Sequence, residues 1–313
     1  MSGIRIVGTG SAVPARMVSN SDLEKYVDTS DEWIYSRTGI KNRYFCEDEK
    51  LYELCARASK TAMERAGVDP SDIGICISAT LSADYATPSN ACMLQRELGL
   101  PTDIPAFDVN AACSGFIYSL HIASRFVDKE RPYALVTGGE MLSRILDMED
   151  RSTCVLFGDG AGAAVIKYDE SAAFYGTMGS RGDNEALVCG GINTEDPHVR
   201  MKGQAIFRFA VKTIDENLTD ILDHTGNTID SVDYVVCHQA NRRIISHVAH
   251  KRKAPEGKFF MDMDKYANTS AASIPLALDD MVNRGLLSFG KGQKVVALGF
   301  GGGLTYAGAL LEF

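Results

Sequence analysis

The sequence has little of what marks a secreted, membrane-spanning or nucleic-acid-binding chain. Its 8 cysteines, at 46, 55, 76, 92, 113, 154, 189 and 237 of 313 residues, include no CxxC pair and follow no regular spacing. Zinc-ribbon and disulfide-framework readings are thereby disfavoured. The opening MSGIRIVGTG lacks the basic-then-apolar run of a secretory leader. With the unpaired thiols, this gives the expectation of a cytoplasmic protein with reduced cysteines. No apolar run reaches the ~20 residues of a spanning helix, and the charge-free stretch Val295 to Leu311 contains five glycines. No membrane association is therefore expected. Basic residues are in deficit, 32 against 41 acidic ones for a net charge of −9, which argues against a nucleic-acid partner. There is no GxSxG, no HExxH and no Gly-Lys-Ser/Thr. GDGAGAAV (158–165) misses the dinucleotide-binding spacing and runs into a strand where that motif needs a helix.

What is present is an ordered globular composition, 45% hydrophobic and 23% charged. The length suits one large or two medium domains at ~100–200 residues each. Apolar runs at Ile4–Val7, Ile73–Ala79, Ala106–Val109, Ala134–Gly138, Ala163–Lys167, Val232–Cys237, Phe259–Met263 and Lys294–Leu298 read as strands. Helical patterns at Tyr52–Ala66, Cys92–Leu98, Gly115–Phe126, Phe207–His224 and Pro275–Arg284 lie between them. Strands interleaved with helices predict an α/β fold with a buried sheet. A weak internal echo accompanies this. AFDVNAACSGFIYSLHIASRFV (106–127) and FFMDMDKYANTSAASIPLALDDMV (259–282) both read strand, small-residue turn, helix. DIGICISAT (72–80) and DYVVCHQAN (233–241) both read strand into polar turn. Two related halves, 1–170 and 171–313, are expected, joined through a segment (183–203) without a strong period.

Cys113 follows a strand in NAACSGF and opens a helix, among small residues that let a substrate approach the sulfur. A helix N-terminus favours the thiolate, the form that attacks carbonyls. A buried cysteine packing as a small hydrophobe is the competing account. His238 in CHQAN and Asn268 in NTSAAS are placed at what read as matching strand-end turns. Neutral imidazole and a side-chain amide both donate to a developing oxyanion; a satisfied strand-end histidine and an ordinary helix cap are the alternatives. GFGGG (299–303) exposes backbone N–H groups for a substrate carbonyl, or simply makes a tight hairpin before the last strand.

In combination and order, DEWIYSRTGI (31–40), DVNAACSGF (108–116), DRSTCVLFGDGAGA (150–163), CHQAN, NTSAAS and GFGGG resemble the β-ketoacyl-acyl carrier protein synthase III family over essentially the whole chain. The resemblance implies a thiolase-like five-layer αβαβα sandwich of two similar halves, as a homodimer. It implies that Cys113 takes an acyl group from acyl-CoA. His238 and Asn268 would then hold the thioester oxygen of malonyl-acyl carrier protein as it loses carbon dioxide, and the carbanion would attack acyl-Cys113. The N–H groups of Cys113 and Gly302 would form the oxyanion hole. Trp33, with Arg37, Thr38 and Arg151, would contact CoA. Arg208, Arg242 and Arg243 would dock the acidic carrier, in line with a stretch (242–253) that holds five basic and no acidic residues. Leu142, Phe157 and Thr87 would shape the acyl pocket, Thr87 from across the dimer where several relatives carry an aromatic. No metal or other cofactor is expected, because CoA and the phosphopantetheine-linked malonyl group are substrates. GFGGG lacks the second cysteine of a thiolase, and NTS carries asparagine where chain-elongating synthases use a second histidine. A related condensing enzyme of secondary metabolism is the remaining alternative.

Overall fold

The computed structural model describes residues 3–191 and 193–313. In chain order, β1 (Ile4–Ala12) is followed by a small hairpin of β2 (Arg16–Ser19) and β3 (Asn42–Phe45), then by β4 (Ile73–Ala79), β5 (Ala106–Val109), β6 (Tyr133–Glu140) and β7 (Gly160–Tyr168). The second series runs β8 (Tyr175–Asp183), β9 (Leu187–Cys189), β10 (Val199–Met201), β11 (Tyr234–Cys237), β12 (Phe259–Phe260), β13 (Lys294–Gly301) and β14 (Gly303–Glu312). Two five-stranded sheets result, ordered β1-β7-β6-β4-β5 and β8-β14-β13-β11-β12. Each places its first strand at one edge, then its fifth, fourth, second and third. Each has antiparallel pairs on the first-strand side and parallel pairs on the other. The echoed segments fall on equivalent strands: 72–80 and 233–241 on β4 and β11, 106–127 and 259–282 on β5 and β12.

Helices α1 (Asp31–Thr38), α2 (Leu51–Ala66), α3 (Asn90–Leu98), α4 (Gly115–Ala123), the single turn α5 (Arg151–Cys154), α6 (Gly203–Thr225), α7 (Arg242–Lys251), the single turn α8 (Met263–Tyr266) and α9 (Ser273–Asn283) complete the chain. α2 buries Leu51, Leu54, Cys55, Ala58 and Ala62, a one-sided stripe at helical spacing, against the outer face of the first sheet. It stops at Gly67, whose φ of 64° terminates a helix without strain. α3 joins it there, while α6 and α7 cover the outer face of the second sheet. α4 is buried almost all round, because it lies with α9 between the sheets in one apolar cluster. The layers are therefore αβαβα, the thiolase-like architecture expected.

Close approach between layers is written in glycine. A Cβ on Gly138 of β6 would lie 2.2 Å from the Ala271 carbonyl oxygen, and one on Gly162 of β7 2.7 Å from Leu276 N. Buried Asp279 of α9 accepts from Thr9 (2.9 Å) and Ser11 (2.6 Å) of β1 and pairs with Arg65 of α2 (2.5 Å), tying three layers together.

Two expectations are corrected. The strand expected over Phe259–Met263 ends at Phe260, because Asp262 N turns inward to Gln239 Oε1 (3.0 Å) and α8 begins at Met263. Asn268 therefore follows a helical turn, where it bridges to Phe157. The segment 183–203 contains a short antiparallel pair, β9 and β10, and β8 was not foreseen.

Candidate functional site

Cys113 lies in a 3-10 turn, Ala112–Ser114, that leads into α4. Ala112 holds a φ of 45° there, a conformation costing ~1–3 kcal/mol outside glycine and typical of functional turns. The β13–β14 hairpin packs against this turn. Phe300 pairs with Tyr306 and Gly301 with Thr305, so GFGGG is indeed a hairpin. Its glycines also serve the neighbouring thiol, since a Cβ on Gly301 would meet Cys113 N at 2.8 Å and Sγ at 3.2 Å. Thr305 Oγ1 fixes the contact by donating to Ala111 O at 2.8 Å.

Two cavities meet at Cys113. One of about 230 Å³ is lined by Cys113, His238, Asn268 and Phe300, with Leu156, Ile244, Asn241 and the exposed Phe207 also on its wall. The other, about 600 Å³, is lined by Cys113, Leu142, Phe157, Cys189, Val199, Ser270 and Gly302. The structure thus brings Cys113, His238 and Asn268 onto one cavity and Cys113, Leu142 and Gly302 onto the other, with Phe157 lining both. Thr87 is exposed and lines neither cavity of its own chain.

His238 follows β11, its backbone N donating to Leu298 O at 2.7 Å. Burial pushes the imidazole down to about 3, so it is neutral. Nδ1 lies 2.7 Å from Ser273 Oγ, which itself accepts from Gln239 N at 3.4 Å. With the Ser273 proton given to Nδ1, the neutral ring carries its hydrogen on Nε2 and can donate into the cavity. Asn268 Oδ1 accepts from Ser270 N at 2.9 Å, which leaves the Nδ2 donors for the cavity. Two neutral donors therefore share a mostly apolar cavity with a thiol, an arrangement suited to holding a developing enolate or alkoxide oxygen.

Burial pushes the Cys113 thiol up to about 12, against the direction favoured by the head of α4. Desolvation of the sulfur outweighs the helix terminus, and the resting group is the thiol. Beside it stands a residue the sequence reading passed over. Glu140, at the end of β6, is wholly buried, and its carboxyl is pushed up to about 7 by burial. A carboxylate closing an otherwise apolar strand (ALVTGGE) was the available signal.

Trp33 is flanked by two guanidinium groups, Arg37 at 4.5 Å and Arg151 at 4.7 Å from the ring centroid. Arg151 is tethered by a 2.7 Å bond to Asp28 O. A flat aromatic ligand could enter this stack where a guanidinium now lies. Thr38 does not join it. Its buried hydroxyl donates to Ile34 O (2.7 Å) and accepts from Ile40 N (3.0 Å), so it caps α1 internally. The nearby Thr29 hydroxyl, by contrast, is buried with no partner among the described residues. Arg242 stacks on Tyr35 (4.7 Å) and Arg243 donates to Ser36 O (3.3 Å), joining α7 to α1. Arg208 is exposed on α6, next to Phe207. The basic stretch 242–253 is less free than its sequence suggests, because Asp215 of α6 pairs with Lys251 (2.7 Å) and Arg252 (2.5 Å).

No group of metal-ligating side chains is found among the described residues, and none of their helices is long and apolar enough to cross a membrane. Two like five-stranded sheets with a cysteine and two neutral donors between them fit a thiolase-fold condensing acyltransferase, the class to which the following relatives belong. The family described as 3-oxoacyl-[acyl-carrier-protein] synthase III matches residues 107–182, and its C-terminal counterpart matches residues 222–313. A β-ketoacyl-[acyl-carrier-protein] synthase III of Clostridium acetobutylicum is 44% identical, over 100% of this chain and 99% of that protein. The crystal structure of 3-oxoacyl-[acyl-carrier-protein] synthase III from Aquifex aeolicus is 41% identical with a TM-score of 0.93, covering 99% of this chain and 100% of that one. A priming β-ketosynthase of the R1128 polyketide pathway is 34% identical with a TM-score of 0.92, covering 99% of this chain and 97% of that one. The chain belongs to the β-ketoacyl-acyl carrier protein synthase III family.

Proposed function

We propose that this protein is a β-ketoacyl-acyl carrier protein synthase III working by a ping-pong decarboxylative condensation of acyl-CoA with malonyl-acyl carrier protein. The observation that carries the reading is the position of Cys113 between two cavities. The narrower suits a phosphopantetheine arm delivering a thioester to His238 and Asn268, and the wider suits the acyl chain left on sulfur. Cys113 attacks the acyl-CoA carbonyl, the N–H groups of Cys113 and Gly302 hold the tetrahedral oxyanion, and CoA leaves. Malonyl thioester then enters, His238 Nε2–H and Asn268 Nδ2–H bind its carbonyl oxygen, and loss of carbon dioxide gives a carbanion that attacks acyl-Cys113. CoA and the carrier arm are substrates, and the scheme uses no metal or other cofactor.

Intact mass after incubation with acetyl-, isobutyryl- and octanoyl-CoA tests the nucleophile. An acyl adduct is expected on the wild type and not on Cys113→Ala, and no adduct on the wild type with any primer refutes the assignment. A cavity of about 600 Å³ behind the thiol supports primers beyond acetyl, which strict acetyl preference would exclude. The likeness to a polyketide priming synthase supports a second reading, the same chemistry at the start of a specialised pathway; the primer used most efficiently separates the two.

Trp33, Arg37 and Arg151 are assigned to CoA, and Arg208, Arg242 and Arg243 to an acidic carrier beside the Phe207 mouth. Carrier affinity that ignores both Arg243→Glu and salt would remove that docking assignment. A homodimer is proposed through β5, an edge strand whose four residues are all partly exposed and next to which Phe126 remains 49% exposed. Light scattering giving a monomer mass at micromolar concentration contradicts it. A cytoplasmic location is proposed from the reduced cysteines.

A further inference from the structure

Glu140 forms no ion pair among the described residues and is wholly buried, so each of its contacts has a purpose to be found. Oε2 is saturated by Ser82 Oγ (2.5 Å), Thr80 Oγ1 (3.2 Å) and Leu81 N (3.2 Å). Ser82 Oγ in turn accepts from Met141 N at 2.9 Å, which commits its own proton to the carboxylate. Oε1 has one donor, Ser270 Oγ at 3.2 Å. Ser270 lines the larger cavity together with Cys113, and its hydroxyl is placed to favour the Cys113 thiolate. The Ser270 hydroxyl thus stands between the sulfur and Oε1, donating to Oε1 at rest and available to the sulfur once a thiolate forms.

Among the described residues the thiol has no better acceptor on its two cavities. His238 is a poor acceptor, held down to about 3 by burial, with its Nδ1 engaged by the Ser273 hydroxyl. Asp183, which lines the outer part of the larger cavity, is occupied by Glu185 N, Ala186 N and Arg181. A carboxylate raised by burial to about 7 is matched to accept a proton near neutrality and give it back.

We propose that Glu140, acting through the Ser270 hydroxyl, accepts the Cys113 thiol proton during acyl transfer and returns it after condensation. The proposal rests on Cys113 being the nucleophile. In the first half-reaction the Sγ–H bond breaks as a new Ser270 O–H bond forms, and the original Ser270 proton passes to Glu140 Oε1. The freed sulfur pair forms the S–C bond to the acyl carbon while the CoA C–S bond breaks, and the CoA thiolate takes a proton from water. In the second, the C–C bond forms, the Cys113 S–C bond breaks, and the expelled thiolate recovers the stored proton through Ser270. One solvent proton is consumed per turnover, the one on the released CoA. Glu140 is thus a positioning residue, since it acts through another side chain.

The titratable groups that feel the Glu140 charge are the thiols of Cys55 on α2, Cys113 and Cys189 on β9, with Asp84 and Asp108 acting on Cys55 as well. The ionised carboxylate raises Cys113 by repulsion, so removing it has two opposite effects: a more acidic thiol, and loss of the acceptor.

The test is rapid-quench mass measurement of acyl-enzyme formation from acyl-CoA between pH 5.5 and 9, on wild type, Glu140→Gln, Glu140→Asp and Ser270→Ala, with thermal melts alongside. Wild-type acylation is expected to rise through an inflection near pH 7. Glu140→Gln and Ser270→Ala are expected to lose that inflection and acylate roughly 100-fold more slowly, with Glu140→Asp in between. Decarboxylation of malonyl thioester, compared between Cys113→Ala and Cys113→Ala/Glu140→Gln, should change less than threefold. Ser270→Ala keeps the other three donors on Glu140, so it carries the test if Glu140→Gln does not fold. Acylation by Ser270→Ala within threefold of wild type, or an inflection preserved in the variants, overturns the relay. So does equal slowing of both half-reactions, which marks a structural role. Absence of any adduct on the wild type overturns the nucleophile assignment instead.

Discussion

Gly138→Ala turns the contact between β6 and the Asn268 turn into a measurement. The new Cβ would lie 2.2 Å from Ala271 O and 2.8 Å from its carbonyl carbon. An unstrained carbon–oxygen contact is ~3.3 Å, so the backbone at 271 must retreat by roughly 1 Å. Neither partner can yield easily. β6 is held by β4 and β7 on either side, and Ala271 and Ala272 are buried. Overpacking of this kind costs roughly 2 kcal/mol, to be read as a lower urea midpoint at unchanged m-value. The second consequence is larger. Ser270, whose N–H orients Asn268 and whose hydroxyl reaches Glu140, precedes the displaced residue. A 1 Å misplacement of catalytic groups costs on the order of 100-fold. Turnover of malonyl thioester should therefore fall much further than the melt does. Gly182→Ala, where a Cβ meets nothing within 4 Å, is the control and should change neither. A Gly138→Ala protein with wild-type midpoint and turnover refutes the claim that this glycine sets the spacing of the layers at the site.

Trp33→Ala should raise KM for acyl-CoA roughly tenfold, as expected for loss of an aromatic–guanidinium platform, and leave kcat and the affinity for malonyl carrier nearly unchanged; steady-state kinetics with each substrate varied decides it. His238 is held at about 3 in the fold against 6.5 when free, so the unfolded chain binds the extra proton between these values. Stability should fall as pH drops through that window, by up to ~1.4 kcal/mol per pH unit from this group. In urea titrations His238→Gln should flatten that slope, and an unchanged slope rejects the buried neutral ring. Asp262 behaves oppositely. Burial raises it from 3.8 to about 8, and its Oδ2 has no hydrogen-bond partner among the described residues, so its contribution makes the fold lose stability as pH rises from 4 to 8. Asp262→Asn should gain on wild type progressively across that range; a constant gap in midpoints contradicts the assignment.

Much of this was legible because both sheets are made of strands that are apolar over several residues and bounded by polar turns. Cys113 and His238 stand out at strand ends for the same reason. The segment 183–203 was not legible, because β9 and β10 are three residues each, too short to display a period, yet they wall the larger cavity. NTSAAS draws attention to Asn268 without showing the structure before it: a strand pattern in Phe259–Met263 cannot reveal that Gln239 pulls Asp262 out of the sheet. Charge read along one segment misled as well. The acid that pairs with both Lys251 and Arg252 sits on α6 at Asp215, a contact made by packing and absent from the linear pattern. Thr38 and Glu140 show the same gap. Which hydroxyl closes on its own helix, and which acid looks into the site, depends on neighbours far away in the chain.

The repeated strand order has a consequence for how activity fails. The thiol comes from the turn after β5, in the first sheet's half of the chain, and both neutral donors come from segments after β11 and α8 in the second. Neither half contains a working set, and the relay to Glu140 crosses between them as well. Reactivity of Cys113 therefore reports on the seam between the layers. A chain whose sheets are intact but slightly parted would keep its circular dichroism and lose its chemistry first. Amide exchange at 112–115 and 268–273 should loosen together, ahead of β6 and β13, as denaturant is added.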